Sequence, residues 1–147
     1  MGGDAGVAVT VAAVGDILRD HPGIEVQLFV SEGALDGYLN TPALRSVADR
    51  VSSVVCGPQV DNDDKPSVAV RSKNQSSMAR AIAAVASGDA DCCVSAGNTG
   101  ALMAFGMQLL KTVPGVSRPA ICGSIPTLKG TALVLDLGAN VDCSAAQ

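Results

Sequence analysis

Apolar residues recur near the start of the chain with the spacing of an amphipathic helix. Val7, Val11, Val14 and Leu18 stand at i, i+4, i+7 and i+11, an arrangement that places them on one helix face. This pattern predicts a helix over 5–19. The first valines of the stretch also alternate in the manner of a strand, and the pattern alone leaves that alternative open.

Two strands with a helix between them are predicted next. The stretches 24–30 and 51–56 are rich in β-branched residues, which favours strands. Between them, Thr41 and Pro42 resemble an N-cap followed by a proline at the first helical position, and they open a predicted helix over 41–49. The segment 57–67 is rich in proline and aspartate, so it is predicted to be a loop.

The second half of the chain continues this alternation. Met78, Ile82 and Val85 lie at helical spacing in an alanine-rich helix predicted over 76–87, and Gly88 is suited to end it. The further predicted elements are a strand at 91–96, a helix at 99–111 and strands at 120–125 and 131–136. This order predicts an α/β fold with a parallel sheet covered by helices. In such sheets ligands bind beyond the carboxyl ends of the strands.

Composition narrows the classes of function. Ten Lys and Arg residues against fourteen Asp and Glu residues leave a net charge of −4, and only Phe29, Tyr38 and Phe105 are aromatic. Nucleic acid is therefore not an expected partner. No apolar run approaches the ~20 residues of a membrane span, and no basic segment followed by an apolar one opens the chain. A cytoplasmic location without signal peptide or membrane-spanning helix is expected.

The cysteines and the histidine do not form a metal-binding pattern. Five cysteines, an odd number without a CxxC pair, argue against a zinc site or a disulfide framework. Cys92 and Cys93 lie in an apolar run and are predicted to be small buried residues rather than a redox pair. His21 precedes Pro22 and Gly23, which favours a capping position at a helix end. No metal ion or cofactor is expected.

One turn has the composition of an anion site. It contains Ser95, Gly97, Asn98, Thr99 and Gly100, directly before a predicted helix. Glycines let backbone N–H groups approach an anion, and the helix N-terminus adds the positive end of its dipole. The turn is therefore a candidate cradle for a phosphate or an oxyanion. The alternative, which composition leaves equally open, is that Asn98 or Thr99 caps a helix at a turn that needs glycine anyway.

A second turn, at 135–142, brings polar groups to the end of an apolar strand. Asp136, Gly138, Asn140 and Asp142 could orient a substrate, hold a metal or act as acid and base. The alternative is the local turn chemistry that is common for Asp and Asn. Asp136 adjoins a predicted buried strand, where a carboxylate needs a partner.

A third cluster places two cations before two hydroxyls. Arg71 and Lys73 precede Ser76 and Ser77 at a predicted helix start, and together they could neutralise a phosphate. By itself the pattern favours the alternative, a solvated basic surface with Ser76 as helix cap. The acidic run at 61–64 lacks the glycine of a calcium loop and is predicted to be a solvated turn.

Five motifs occur in a fixed order along the chain: MGGD at 1–4, AVRSKNQSSM at 69–78, SAGNTGALM at 95–103, RPA at 118–120 and LVLDLGANVD at 133–142. Together they resemble the bacterial phosphate acyltransferase family of phospholipid synthesis. The resemblance implies a three-layer α/β/α sandwich with a mostly parallel sheet, similar to phosphotransacetylases and to the isocitrate and isopropylmalate dehydrogenases. It also implies transfer of a fatty acyl group from acyl carrier protein to inorganic phosphate, which gives acyl phosphate.

The same resemblance implies site residues and partners. It implies catalytic roles for Asn98, Thr99, Asp136, Asn140 and Asp142. It implies phosphate or substrate binding by Gly2, Gly3, Asp4, Arg71, Lys73, Ser76, Ser77, Ser95, Gly97, Gly100 and Gly138. The implied partners are acyl carrier protein, inorganic phosphate and a second copy in a homodimer, with a glycerol-3-phosphate acyltransferase and peripheral membrane contact in the full-length form.

The resemblance places residues 1–147 in the N-terminal part of a single domain, less than half of a family member. The family motif begins with Asp-Ala after a first strand, and the family has a proline where this sequence has Val7. The first strand and the C-terminal half are therefore expected to be missing, which predicts a fragment that is inactive alone. Two other functions stay open: a phosphotransacetylase-like enzyme that uses coenzyme A thioesters, and a non-catalytic half domain.

Overall fold

A computed structural model describes residues 6–38 and 40–137 of the chain. Helices and strands alternate as far as residue 56, three successive helices follow, and two strands end the described part. The elements in chain order are α1 (Gly6–Asp20), β1 (Val26–Ser31), α2 (Pro42–Arg45), β2 (Val51–Cys56), α3 (Pro66–Ser72), α4 (Ser77–Ser87), α5 (Thr99–Leu109), β3 (Cys122–Thr127) and β4 (Gly130–Leu135). A short 3-10 turn at Ala48–Arg50 leads into β2. The α/β class predicted from the sequence is confirmed.

β1 and β2 form a parallel pair, as the sequence predicts. Val26 lies opposite Val51 and Ser31 lies opposite Cys56, so both strands end at the same edge of the sheet. The predicted helix between them is shorter than expected: α2 ends at Arg45 and the 3-10 turn follows. The chain that leaves β2 therefore starts at the edge where parallel sheets bind ligands.

The apolar face of α1 packs into the first of two cores. Val11, Val14 and Leu18 are buried there, which confirms the helix over the alternative strand. Gly15 lies so close to α2 that an added Cβ would be 2.5 Å from the backbone oxygen of Ala43. The close approach of α1 and α2 thus depends on a residue without a side chain.

The second core joins α3, α4 and α5. Met78 and Ile82 are buried in it and Val85 is half-buried, which confirms the predicted inward face of α4. Gly88 ends α4 in the left-handed region with φ 82°, a conformation that costs glycine little. Phe105 of α5, 1% exposed, fills the centre of this core.

α3 is an element that the sequence analysis missed. The predicted loop extends to residue 67, whereas α3 begins at Pro66. Proline is favoured at the first helical position, so Pro66 carried the same signal as Pro42. The aspartates before Pro66 favoured a loop, so the start of α3 was assigned to that loop.

The strand predicted at 91–96 is wrong. The structure assigns no strand to these residues, and the side chain of Val94 is 95% exposed. A strand needs a neighbour that accepts its backbone hydrogen bonds, and an apolar run does not supply one. Cys93 instead packs against the second core as part of an irregular segment.

The parallel direction predicted for the last two strands is also wrong. β3 and β4 are antiparallel, with Cys122 opposite Leu135 and Thr127 opposite Gly130. Their connection is too short for the crossover of a dozen or more residues that parallel neighbours require. The turn after β4 therefore does not follow a strand of a parallel sheet, and no strand precedes the turn at 95–100.

Most of the hairpin formed by β3 and β4 remains open to solvent. Leu133 is 72% exposed and Leu135 is 69% exposed. Within residues 6–38 and 40–137, no helix is both long enough and apolar enough to cross a membrane.

Candidate functional site

The N-terminus of α4 lies at the carboxyl end of β2. The backbone N–H of Gly57, the residue after β2, donates to the carbonyl oxygen of Gln75 over 2.8 Å. Ser76 follows as the N-cap of α4, and its Oγ accepts from the N–H of Ala79 over 3.3 Å. Ser76 is fully buried. The predicted capping alternative for Ser76 is therefore what the structure has.

Ser77 begins α4 at the same place. It is 8% exposed, and its hydroxyl has no hydrogen bond within the described residues. The first N–H groups of a helix lack intrahelical partners and carry the positive end of its dipole. The start of α4 thus offers a hydroxyl and backbone donors to an anion at the carboxyl edge of the sheet.

Asn98 joins the start of α5 to the loop that leaves β2. Its Oδ1 accepts from the N–H of Ala101 over 2.9 Å, which caps α5. Its Nδ2 donates to the backbone carbonyls of Asp61, Asn62 and Asp64 over 3.0, 3.1 and 2.9 Å. Both ends of the side-chain amide are therefore occupied, and the capping alternative is favoured over a donor to substrate.

Lys73 binds the same loop through its charge. Its Nζ donates to Oδ2 of Asp61 over 3.0 Å and to Oδ2 of Asp64 over 2.5 Å. The side chains of Lys73 and Asp64 are 19% and 20% exposed. The hydrogen bond from Lys73 lowers the pKa of Asp64, and the bond to Asp64 raises the pKa of Lys73. Both groups are thereby held in their charged forms.

We call Lys73, Asn98 and the loop 61–64 the latch. The loop is a turn, as predicted, but two of its carboxylates pair with Lys73 and are not merely solvated. Through this loop the latch connects the end of α3, the start of α5 and the chain leaving β2. Sequence reasoning missed Asp61 and Asp64 as partners of Lys73, because ion pairs between separate segments leave no periodic signal.

The turn at 95–100 contributes a second helix start. Ser95 Oγ accepts from the N–H of Gly97 over 3.3 Å, a local bond that shapes the turn. A Cβ on Gly100 would lie 2.8 Å from Cγ of Pro66, so α3 abuts the first turn of α5. Thr99 is exposed, with no hydrogen bond to its hydroxyl in the described part of the chain. Thr99 and the nearby N–H groups remain available to an anion.

Arg71 lies apart from these groups. It lines a cavity with Met107 and Gln108 of α5. Arg71 thus lines this cavity, whereas Lys73 pairs with Asp61 and Asp64, so the two cations have different neighbours.

Asp136 directly follows β4 and adopts φ 59°, in the left-handed region. Its backbone N–H donates to the carbonyl oxygen of Ile121 over 2.7 Å. The other predicted residues of this turn and of the first motif lie outside the described residues: Gly2, Gly3, Asp4, Gly138, Asn140 and Asp142.

The described cysteines and His21 show no sign of a reactive or metal-binding role. Burial raises the pKa of the Cys56 and Cys93 thiols, which disfavours the reactive thiolate. Cys92 is exposed, contrary to the prediction that both neighbouring cysteines are buried. The N–H of His21 donates to the carbonyl of Ile17 over 2.9 Å at the end of α1, in the predicted position. Within the ranges that the structure describes, no group of three His, Cys, Asp or Glu residues could hold a metal ion.

Comparison with known proteins decides the family. Residues 1–147 match the model of a family described as Fatty acid synthesis protein. The chain belongs to this family. It is 48% identical over 145 residues to a phosphate acyltransferase of Methylococcus capsulatus, covering 99% of this chain and 42% of that protein. It is 45% identical over 147 residues to a phosphate acyltransferase of Teredinibacter turnerae, covering 100% of this chain and 44% of that protein.

These comparisons confirm the resemblance on which the sequence analysis relied. A relative from Saccharophagus degradans, also named phosphate acyltransferase, is 44% identical, with 100% of this chain and 42% of that protein covered. The chain thus spans about two fifths of the length of the curated relatives it matches.

Proposed function

We propose that this chain is the N-terminal part of a single phosphate acyltransferase domain, in an enzyme that moves a fatty acyl group from acyl carrier protein to inorganic phosphate. The observation that carries the proposal is the 45–48% identity, over nearly the whole chain, to relatives named phosphate acyltransferase. The description of the family as a fatty acid synthesis protein supports a fatty acyl donor.

The reaction needs few groups from the protein. An oxygen of phosphate attacks the thioester carbonyl carbon, a C–O bond forms, and the C–S bond breaks as the tetrahedral intermediate collapses. The carrier-protein thiolate leaves with the electron pair and takes up a proton. The protein must bind the phosphate dianion, orient it and stabilise charge on the carbonyl oxygen. No covalent enzyme intermediate is required.

The geometry supports two different roles among the proposed site residues, anion binding and positioning. Ser77 and the first N–H groups of α4 lie at the carboxyl end of β2, where they would bind phosphate or the developing oxyanion. Thr99 and the turn at 95–100 supply a second set of donors at the start of α5. Asn98 and Lys73 act as positioning residues, because the latch occupies their donors and fixes the end of α3 and the start of α5 to one loop.

The remaining features of the whole enzyme belong to the same proposal. Its fold would be the three-layer α/β/α sandwich with a mostly parallel sheet, of which β1 and β2 supply a parallel pair. It would act in the cytoplasm as a homodimer and take acyl carrier protein as donor. Contact with a glycerol-3-phosphate acyltransferase and with the membrane surface would deliver the acyl phosphate. Gly2, Gly3, Asp4, Asp136, Gly138, Asn140 and Asp142 would complete the site.

The test uses the complete reading frame that encodes this chain. Palmitoyl-acyl carrier protein and phosphate are incubated with the purified protein, and acyl phosphate is trapped with hydroxylamine. Phosphate-dependent formation of the hydroxamate is expected, together with release of the carrier-protein thiol. A folded protein that releases no thiol in the presence of phosphate would contradict the proposal. Acetyl coenzyme A serves as a second donor, since faster turnover of that thioester would identify a phosphotransacetylase-like enzyme instead.

A non-catalytic half domain is the second candidate for residues 1–147 taken alone. The coverage of only 42–44% of each relative favours it, because the relatives use more than twice this length of chain. The same assay on the 147-residue chain is expected to show no hydroxamate. Turnover by this chain would show that all the required groups lie within it.

A further inference from the structure

Asp64 contacts every part of the latch. Its Oδ2 accepts from Nζ of Lys73 over 2.5 Å and from the backbone N–H of Asp61 over 2.7 Å. Its backbone carbonyl accepts from Nδ2 of Asn98 over 2.9 Å, and its backbone N–H donates to the carbonyl of Asp61 over 3.2 Å. This one residue therefore binds the end of α3, closes the loop 61–64 and supports the start of α5.

The three aspartates of the loop differ in how firmly they are held. The side chain of Asp64 is 20% exposed, whereas that of Asp61, which accepts from Lys73 over the longer distance of 3.0 Å, is 58% exposed. Asp63 is exposed and forms no hydrogen bond or ion pair within the described part of the chain. Solvent weakens exposed ion pairs, so the bond from Lys73 to Asp64 should fix the loop more firmly than the bond to Asp61.

Asp64 is connected to the donors of α5 through Asn98. Besides its bond to the carbonyl of Asp64, Asn98 accepts from the N–H of Ala101 through Oδ1 and from the N–H of Leu102 through its backbone carbonyl, both over 2.9 Å. Thr99, whose hydroxyl has no partner among the described residues, follows Asn98 directly. A loop that fixes Asn98 therefore also fixes the first turn of α5 and the donors on it.

We propose that Asp64 is a positioning residue for phosphate binding, because it fixes the loop 61–64 against Asn98 and so fixes the anion donors at the start of α5. The inference rests on the proposed function, in which those donors bind phosphate or the developing oxyanion. Asp64 acts through Asn98 and does not itself contact substrate. Donors that are fixed before phosphate arrives need no ordering when it binds, so loss of Asp64 should weaken phosphate binding more than it slows the chemical step.

A competing role for Asp64 predicts a change of opposite sign. If Lys73 were itself the phosphate ligand, the carboxylates of Asp61 and Asp64 would compete with phosphate for its ammonium group. Removal of one carboxylate would then tighten phosphate binding. The direction in which the KM for phosphate changes therefore separates a positioning carboxylate from a competing one.

The kinetic test uses the protein encoded by the complete reading frame, with saturating palmitoyl-acyl carrier protein and varied phosphate. Asp64→Asn should raise the KM for phosphate about fivefold and change kcat by less than about twofold. Asp61→Asn should raise the KM by about twofold at most, because its pair with Lys73 is more exposed. Asp63→Asn is the matched control in the same loop and should leave the KM unchanged. Gly15→Ala controls for lost stability, because it disturbs the packing of α1 on α2 and not the latch.

Hydrogen exchange followed by mass spectrometry tests the positioning in the same protein without requiring turnover. Peptides that cover 99–102 should exchange about fivefold faster in Asp64→Asn than in the unchanged protein, because the loop that supports Asn98 is no longer fixed to Lys73. Peptides from α4 should exchange at the same rate in both proteins. Asp63→Asn should leave both regions unchanged.

Several outcomes would overturn the inference and leave the proposed function intact. They are an unchanged or lowered KM for phosphate in Asp64→Asn, an equal rise in KM in Gly15→Ala, and exchange at 99–102 as slow as in the unchanged protein. Absence of turnover in the unchanged protein would instead contradict the proposed function. The exchange measurement would then still decide whether Asp64 fixes the start of α5.

Discussion

At the scale of single residues, the structure separates side chains that hold the site together from those left free to act. Asn98 is the clearest case, because its amide accepts from one helix N–H and donates to three loop carbonyls. An amide group used in this way cannot also donate to a substrate without releasing the loop. Ser77 and Thr99, which the sequence placed in the same clusters, keep unbonded hydroxyls among the described residues.

Substitutions of Asn98 separate its capping role from its role in the latch. Asn98→Ala removes both, and we expect a loss of about 2 kcal/mol in the free energy of unfolding. Asn98→Ser keeps an N-cap oxygen, but the shorter serine hydroxyl cannot donate to the carbonyls of the loop 61–64. The loss in the free energy of unfolding should therefore be about 1 kcal/mol. Urea unfolding of the two variants measures the difference. An unchanged stability of Asn98→Ser would show that the three loop contacts contribute nothing, and equal losses in the two variants would show that the cap contributes nothing.

The same Asn98→Ala variant, made in the protein encoded by the complete reading frame, tests under the proposed function whether the amide acts on substrate. We expect turnover per folded molecule to fall by less than tenfold. Loss of an oxyanion donor would typically reduce it about a hundredfold or more. A large fall in turnover with an unchanged urea midpoint would restore Asn98 to the catalytic residues.

The ion pair in the latch predicts how stability depends on pH. The pKa of Asp64 is lowered in the folded chain, so its contribution is present above its ordinary pKa, near pH 4, and is lost as pH falls through the lower folded value. The pKa of Lys73 is raised, so its contribution persists until pH rises above its ordinary value, near 10.4. Between these limits the pair should contribute constant stability.

Asp64→Asn is the variant that checks this dependence. It should lower the urea midpoint at pH 7 and reduce the further decline between pH 5 and pH 2, because the carboxylate that Lys73 stabilises is gone. Asp63→Asn is the control, since Asp63 is exposed and unpaired in the described part of the loop. An acid decline as steep as that of the unchanged chain would contradict the assignment.

At the scale of elements, sequence patterns correctly predicted helices, which depend on the local spacing of apolar residues. They failed for strands, whose pairing depends on residues far away in sequence. The apolar periodicity of α1 and α4 and the glycine at the end of α4 were sufficient to predict those helices. The segment 91–96 has strand composition, but no neighbouring strand pairs with it within the described structure. The short connection between β3 and β4 was sufficient to predict an antiparallel hairpin. The prediction of a parallel sheet did not take this connection into account.

The candidate site shows the same division. Ser76 and Asn98 are caps because their type and position before a helix are sufficient, so sequence predicted that alternative. The bonds from Lys73 and Asn98 to the loop 61–64 depend on how three segments pack, which no local pattern encodes. The separation of Arg71 from Lys73 also arises this way, since α3 directs the two side chains to different neighbours.

Two helix glycines give a matched test of packing between elements. Gly15→Ala should destabilise the chain by about 1–2 kcal/mol, because its Cβ would meet backbone of Ala43 at 2.5 Å. Gly106→Ala should instead stabilise it by about 0.5–1 kcal/mol, since no atom lies within 4 Å of an added Cβ and alanine favours helix. Thermal unfolding of both variants checks the opposite signs. A stabilising Gly15→Ala would mean that α1 and α2 pack less closely than described.

At the scale of the whole molecule, α4 joins two otherwise separate cores. It packs against β1 and β2 on one side and against α5 on the other. The β3–β4 hairpin adds little to either core, because in β4 only Val134 is half-buried and the other residues are exposed. We therefore expect stability to differ along the chain. The hairpin should unfold locally, whereas α4 and α5 should unfold only when the packing between the two cores is lost.

Hydrogen exchange followed by mass spectrometry tests this uneven stability. We expect the amides of β3 and β4 to exchange fastest among the hydrogen-bonded elements, because an exposed two-stranded hairpin is marginally stable in water. The amides of α4 and α5 should be the slowest. Ile82→Ala, which removes a side chain 1% exposed and should cost about 2–5 kcal/mol, should accelerate exchange in α4 and α5 and leave the hairpin unchanged. Hairpin amides as slow as those of α4, or accelerated together with them by Ile82→Ala, would instead show that the hairpin and the two cores unfold as one cooperative unit.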